Sequence, residues 1–198
     1  IPETGSPLVG DMSSDILSRP LDYTKFTMIY AGAQKNLGPS GVAMVAIRKD
    51  FAEKGSISIP TLLRYQTHIE NNSLYNTPPC FSIYMLCLTT RWLKKNGMQK
   101  IFQTNRDKAQ LIYDAIDASG FYRGTAKSEH RSDMNVTFRL PTEELETLFI
   151  KQASEAGMKQ LKGHRSVGGI RASIYNAFPA AGVQALVDFM KDFEKRNG

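Results

Sequence analysis

The sequence predicts an α/β fold, and three observations carry that prediction. Short apolar runs separated by turn residues fill the opening third. Longer stretches in which apolar residues recur with a helical period occupy the middle, and the closing part interleaves strand-length with helix-length patterns.

The first runs are Pro7-Leu8-Val9-Gly10, Phe26 to Tyr30 and Val42 to Ile47, each short enough to be a buried strand. Between the second and third lies Ala31-Gly32-Ala33-Gln34-Lys35-Asn36-Leu37-Gly38-Pro39-Ser40-Gly41, whose Gly and Pro content marks a constrained loop. Segments 56–60 and 71–79 are polar or turn-rich, and the second leads into a helix expected from Pro79 to just before Gly97. A further helix is expected over 105–119, because Ala109, Ile112, Ala115 and Ile116 repeat at its period and Gly120 stands ready to end it. A strand at 135–140 follows, then a helix over 142–156 with Gly157 behind it, then a strand near 170–175. Val183, Leu186, Val187, Met190 and Phe193 define a closing amphipathic helix, so the last hundred or so residues read as a small α/β unit.

With 198 residues, 41% hydrophobic and 10% aromatic, the chain can bury a core of one large or two small domains. No run approaches the roughly eighteen apolar residues that a membrane span needs. The opening Ile-Pro-Glu-Thr-Gly has no initiator Met, basic start or apolar core, so it reads as mid-protein sequence without a targeting segment. The net charge of +6 favours anionic partners. Lys and Arg are nevertheless scattered in ones and twos, without the dense basic stripe of a nucleic-acid binder. Cys80 and Cys87 fall on one face of the expected helix and read as reduced core thiols, as Trp92 and Tyr122 read as core aromatics. His68, His130 and His164 are too far apart for a ligand set, and no metal is expected.

Lys35 is the first candidate for chemistry. A lysine held on a rigid loop between two strands can lose part of its solvation, which frees the amine to form a Schiff base with a carbonyl. A lone lysine in a turn is more often just a solvated side chain. Asp11 follows a short apolar run, where a carboxylate at a strand end can pair with a ring nitrogen; its plainer reading is the cap of a turn with Ser13 and Ser14. Asn76 and Thr77, ahead of Pro78-Pro79, can donate hydrogen bonds to an anion from a stiffened segment, or simply cap a helix start. His164, Arg165 and Arg171 form a cationic cluster around Gly168-Gly169, and Arg171 has the planar fork that suits a carboxylate; otherwise it is a surface residue of a strand edge.

Asp11-Met12-Ser13-Ser14, Tyr30-Ala31-Gly32-Ala33-Gln34-Lys35-Asn36, Asn72-Ser73-Leu74-Tyr75-Asn76-Thr77-Pro78-Pro79 and the run from Leu161 to Ser173 resemble, in wording and order, the phosphoserine aminotransferase family. These are fold-type I, class V pyridoxal-phosphate enzymes, and the resemblance runs from about Leu8 to the last helix. It implies the carboxy-terminal portion of such an enzyme: 1–98 as the end of the large cofactor-binding domain and 99–198 as a small C-terminal α/β domain. It implies pyridoxal 5'-phosphate bonded to Lys35, with Asp11 on the pyridine nitrogen and Gln34 as a further cofactor contact. Asn76 and Thr77 would reach the cofactor phosphate of the other subunit, which requires a homodimer. Arg171 would take the substrate α-carboxylate, with His164 and Arg165 near the substrate phosphate.

The reaction so implied is a ping-pong transamination between glutamate and 3-phosphohydroxypyruvate, giving phosphoserine and 2-oxoglutarate in serine biosynthesis. The setting implied is the cytoplasm, or a plastid had a transit peptide been lost. The family's chain has a large N-terminal portion ahead of the position matching Ile1. That portion carries the segment holding the cofactor phosphate, a stacking aromatic and further substrate arginines, so a complementary N-terminal piece is an expected partner. Another fold-type I enzyme is the nearest alternative, although a desulfurase would place a reactive Cys on a mobile loop. A non-catalytic or dimerisation fragment is the alternative from another class.

Overall fold

The computed structural model describes residues 1, 3 and 5–198 and divides into two compact units, Ile1–Asn96 and Gly97–Gly198. In the first unit, β1 (Val9–Asp11), β2 (Met28–Gly32) and β3 (Ala43–Ile47) form a sheet in that order. β1 runs parallel to β2, with Asp11 opposite Tyr30, and β2 runs antiparallel to β3, with Gly32 opposite Ala43. Alternation along β2 turns Ile29 and Ala31 inward, where they meet Met12, Ile16, Ala33 and Leu37.

Two short helices that were not expected, α1 (Lys49–Ala52) and α2 (Tyr65–Glu70), flank the polar segment 56–60. At four and six residues they are too brief to display a period. The helix α3 (Cys80–Asn96) stands where the sequence placed it, with Leu86 packed on the sheet core. Its surroundings do not match the expected core role, however. Cys80 is exposed, Cys87 half-buried and Trp92 40% exposed, while Leu93 is its one fully buried side chain. The helix is apolar on more than one side, so apolar content alone did not say which side would be covered.

In the second unit, α4 (Met98–Asp117) begins well before the expected 105 and ends ahead of Gly120, at a cap on Ala118. Buried Asn105 and Lys108 lie on its inner face between Ile101 and Ala109, and these polar residues masked the stripe that continues back to Met98. The strands β4 (Arg123–Gly124), β5 (Asn135–Arg139) and β6 (Ile170–Ser173) form an antiparallel sheet in that order. Between the last two runs α5 (Glu143–Glu155), whose N-cap Thr142 accepts from the Leu145 amide at 3.3 Å and whose first turn holds Glu143, Glu144 and Glu146. The closing helix α6 (Ala180–Asn197) completes the unit. Its core is aromatic at the centre: Phe138 meets Tyr122 at 5.5 Å and Phe149 at 6.0 Å, both edge-on, and Phe149 meets Phe193 at 5.1 Å. Tyr122 is core as expected, its hydroxyl donating to the Met190 carbonyl at 2.8 Å.

Candidate active site

Ligands of open α/β sheets collect outside the carboxyl ends of parallel strands. Asp11 is the last residue of β1, and Lys35 lies three residues beyond the end of its parallel neighbour β2. The turn after β2 is fixed from beneath. Ala33 and Leu37 are buried, the Leu37 and Gly38 amides donate to the Ala33 carbonyl, and Asn36 Nδ2 donates to the Ile16 carbonyl at 2.7 Å. Gln34 and Lys35 therefore face outward and are both exposed. The drying of the lysine that a rigid loop was expected to provide is not achieved by the residues of its own unit. Gly41 closes the loop at φ 97°, a left-handed value, and a Cβ there would lie 3.2 Å from Ser82 Oγ on α3.

Asp11 is shaped by Ser13. The Ser13 hydroxyl donates to Asp11 Oδ1 at 2.6 Å and the Ser13 amide donates to the same oxygen at 2.9 Å. Ser13 Oγ in turn accepts from the Gly32 amide at 3.0 Å, which ties the carboxylate to the end of β2. These bonds hold the Asp11 carboxyl below its ordinary value, with Tyr30 and the charge of Lys35 adding in the same direction. The plain turn reading of Asp11 holds through Ser13, with no bond from Ser14 among those described, and the same bonds keep the acid ionised. Ser13 and Tyr30 were not singled out for this role. The Asp-x-Ser spacing held a signal for the first, whereas the second becomes a neighbour only through strand pairing.

Asn76 lies apart from this group, along a cavity of about 460 Å³ within the first unit, together with Val45, Tyr65, His68 and Ile83. Its Nδ2 donates to the Thr77 carbonyl at 3.2 Å, and both side chains are exposed.

The cationic group belongs to the second unit. His164 and Arg165 are exposed on a tight loop in which the Gly163 amide donates to the Gly169 carbonyl at 2.8 Å. His164 Nδ1 lies 2.7 Å from Ser166 Oγ and accepts from the Ser166 amide at 3.3 Å, which fixes the ring to its own loop. Arg171 sits on β6 with its amide donating to the Leu161 carbonyl at 2.8 Å. It is half-buried, and its Nε is a buried donor with no hydrogen-bond partner among the described residues. An orphan guanidinium donor is costly unless something anionic takes it up. Arg139 and Glu146, beneath the same loop, were missed because their pairing depends on tertiary structure.

Among the described residues no group of three His, Cys, Asp or Glu side chains is placed to hold a metal, and no helix is long and apolar enough to cross a membrane.

An acid at the end of one strand and an amine just beyond the end of its parallel neighbour fit a class of enzyme that handles amino groups, and the comparisons give that class a family. The family model for aminotransferase class-V matches residues 1–186, and the chain belongs to that family. Phosphoserine aminotransferase of Desulfosudis oleivorans is 58% identical over 200 residues, covering 100% of this chain and 55% of its own length. The solved phosphoserine aminotransferase from Bacillus circulans subsp. alkalophilus superposes with a TM-score of 0.94 at 55% identity, over 98% of this chain and 55% of that one. A pyridoxal-phosphate-bound phosphoserine aminotransferase from Trichomonas vaginalis superposes at 0.91 with 38% identity, over 96% of this chain and 55% of that one. The chain thus spans about half the length of the relatives it matches.

Proposed function

We propose that this chain is part of a pyridoxal-phosphate-dependent phosphoserine aminotransferase, exchanging an amino group between glutamate and 3-phosphohydroxypyruvate in serine biosynthesis. The observation that carries the reading is the placement of Asp11 at the end of β1 and Lys35 just beyond the end of β2, in a chain 58% identical to an enzyme of that name. The residues fit the cofactor: Ser13 holds Asp11 as an anion, the form able to stabilise a protonated ring nitrogen, and Lys35 is exposed on a loop fixed by buried neighbours.

Pyridoxal phosphate, when bound, supplies a carbonyl that takes up amino groups and a ring that draws electrons from the adjoining carbon. Lys35 Nζ is the group that would bond that carbonyl at rest and carry the proton to and from the substrate α-carbon. Asp11 would keep the proton on the ring nitrogen, and Gln34 would be a further contact to the cofactor. Arg171 would clamp the substrate α-carboxylate with its guanidinium fork, while His164 and Arg165 meet the phosphate. Asn76 and Thr77 would serve the cofactor phosphate of a second subunit, which makes the functional species a homodimer.

On this reading 1–98 closes the large cofactor-binding domain and 99–198 forms the small one. The remainder of the protein, or a complementary piece of it, completes the site. The setting we assign is the cytoplasm, or a plastid for a chain with a transit peptide.

Borohydride reduction of the full-length holoprotein followed by peptide mapping tests the assignment. Cofactor fixed on Lys35 is the expected result, and fixation on any other lysine overturns it.

A further inference from the structure

The loop that carries His164 and Arg165 is closed on itself by the Gly163–Gly169 bond and by the Val167 and Gly168 amides, which donate to the His164 carbonyl at 2.9 and 2.8 Å. These bonds set its shape, and beneath it lies Arg139, the last residue of β5. Arg139 Nη1 donates to the Val167 carbonyl at 3.1 Å. Its side chain runs directly beneath the two glycines: a Cβ on Gly169 would fall 2.5 Å from Arg139 Cδ, and one on Gly168 would fall 3.4 Å from Nη1. Both glycines have φ near 70°, so the loop bends over the arginine in a conformation that other residues resist.

Arg139 is itself held. Its Nε donates to Glu146 Oε1 on α5, and Glu146 is only 6% exposed, with the same oxygen accepting the Leu140 amide at 3.3 Å. Glu143 stands 4.0 Å from Nη2 on the outer side. A cation matched by a buried carboxylate has little charge to offer a ligand, but it makes a stiff post.

We propose that Arg139, locked by Glu146, is a positioning residue that fixes where His164 and Arg165 stand, and so sets the enzyme's grip on the phosphate of its phosphorylated substrate. The inference rests on the reading above that this loop meets that phosphate. Glutamate has no phosphate, so the two substrates should respond differently.

The test is steady-state kinetics of the full-length holoenzyme with each substrate varied in turn, for Arg139→Gln, Arg139→Lys, Arg165→Ala and the double variant Arg139→Gln/Arg165→Ala. Arg139→Lys keeps a cation beside Glu146 while losing the fork that reaches Val167, and it covers the case in which Arg139→Gln fails to fold. Arg139→Gln and Arg139→Lys should raise KM for 3-phosphohydroxypyruvate about tenfold, as loss of positioning does. KM for glutamate should rise much less. The double variant should be no worse than Arg165→Ala alone, because Arg139 acts through the loop. An equal rise for both substrates, or additive losses in the double variant, overturns the positioning role. If Arg165→Ala raises KM for the phosphorylated substrate and neither Arg139 variant does, only the role of Arg139 falls. If Arg165→Ala leaves that KM unchanged, the phosphate reading of the loop fails and this proposal falls with it.

Discussion

Asp11 takes both of its close hydrogen bonds from Ser13 on a single oxygen, Oδ1. That arrangement depresses the carboxyl's pKa, so whatever stability the ionised acid gives the fold is present above the ordinary carboxylate range and lost as pH falls through the depressed value. Ser13→Ala removes the hydroxyl donor and leaves the amide. The Asp11 titration, followed by carboxyl NMR, should then move up toward the ordinary value of 3.8, and the cofactor should bind less tightly at the acid end of the pH range. An unmoved titration would show that the amide alone holds the acid. None of this required knowing the fold in full, since Asp-x-Ser at a strand end is a local signal. The part played by Tyr30 is different: nineteen residues away in sequence, it becomes the neighbour of Asp11 only when β1 and β2 pair.

At the scale of elements, Lys108 joins α4 to the segment that follows β6. It is 1% exposed, and its amine donates to the carbonyls of Ile174, Tyr175 and Phe178 at 3.0, 2.8 and 3.0 Å. Burial lowers its pKa from 10.5 to about 8. Between those values the unfolded chain binds more protons than the folded one, so this residue makes unfolding free energy rise with pH. Its contribution is complete above about pH 10.5 and is lost as pH falls to about 8. Burial of Tyr122 raises its phenol pKa and gives the opposite slope above the ordinary phenol value, but that slope is common to the wild type and Lys108→Met and cancels in their difference. Lys108→Met strands three carbonyls and should cost at least about 2 kcal/mol in denaturant melts. The wild-type-minus-variant difference should grow from pH 8 to 10; a flat difference would contradict the buried titration.

Sequence reading was strong for elements that announce themselves. The strand at 135–140, the capped helix α5 and the apolar stripe of α6 carried their own periods and stops. It was weak where a polar residue does a core residue's work, as Asn105 and Lys108 do on α4, and where a helix such as α2 lasts fewer than two turns. For the site, Lys35, Asp11 and the basic cluster were singled out as candidates by motifs that resemble a family's, since local pattern alone favoured plainer readings of each. The Arg139–Glu146 lock was invisible because neither residue is unusual until β5 and α5 are packed side by side.

At the scale of the whole molecule, the described surface of the first unit is unlike that of a finished domain. Phe81, Tyr84 and Leu88 on α3 are exposed together with Trp92, and Val9, Tyr30 and Val45 are exposed on the sheet. Patches of this kind on a natural protein are contact surfaces. Trp92 is the single tryptophan of the sequence, so its fluorescence reports on one place. The folded chain alone should emit near the wavelength of a hydrated indole. In full-length protein with any tryptophan outside this chain replaced by phenylalanine, that emission should shift to the blue, and an unshifted spectrum would remove α3 from any interface.

The acid and the amine are set apart by a ladder of main-chain bonds between β1 and β2, not by the sixteen residues that connect those strands. Lengthening that connection would leave their spacing untouched, much as a longer handle leaves the jaws of a clamp alone. Deleting one residue inside β1 would turn the carboxylate to the reverse side of the sheet, because side chains alternate with every step. Tolerance to insertion and intolerance to deletion should therefore sit side by side within about ten positions of this chain.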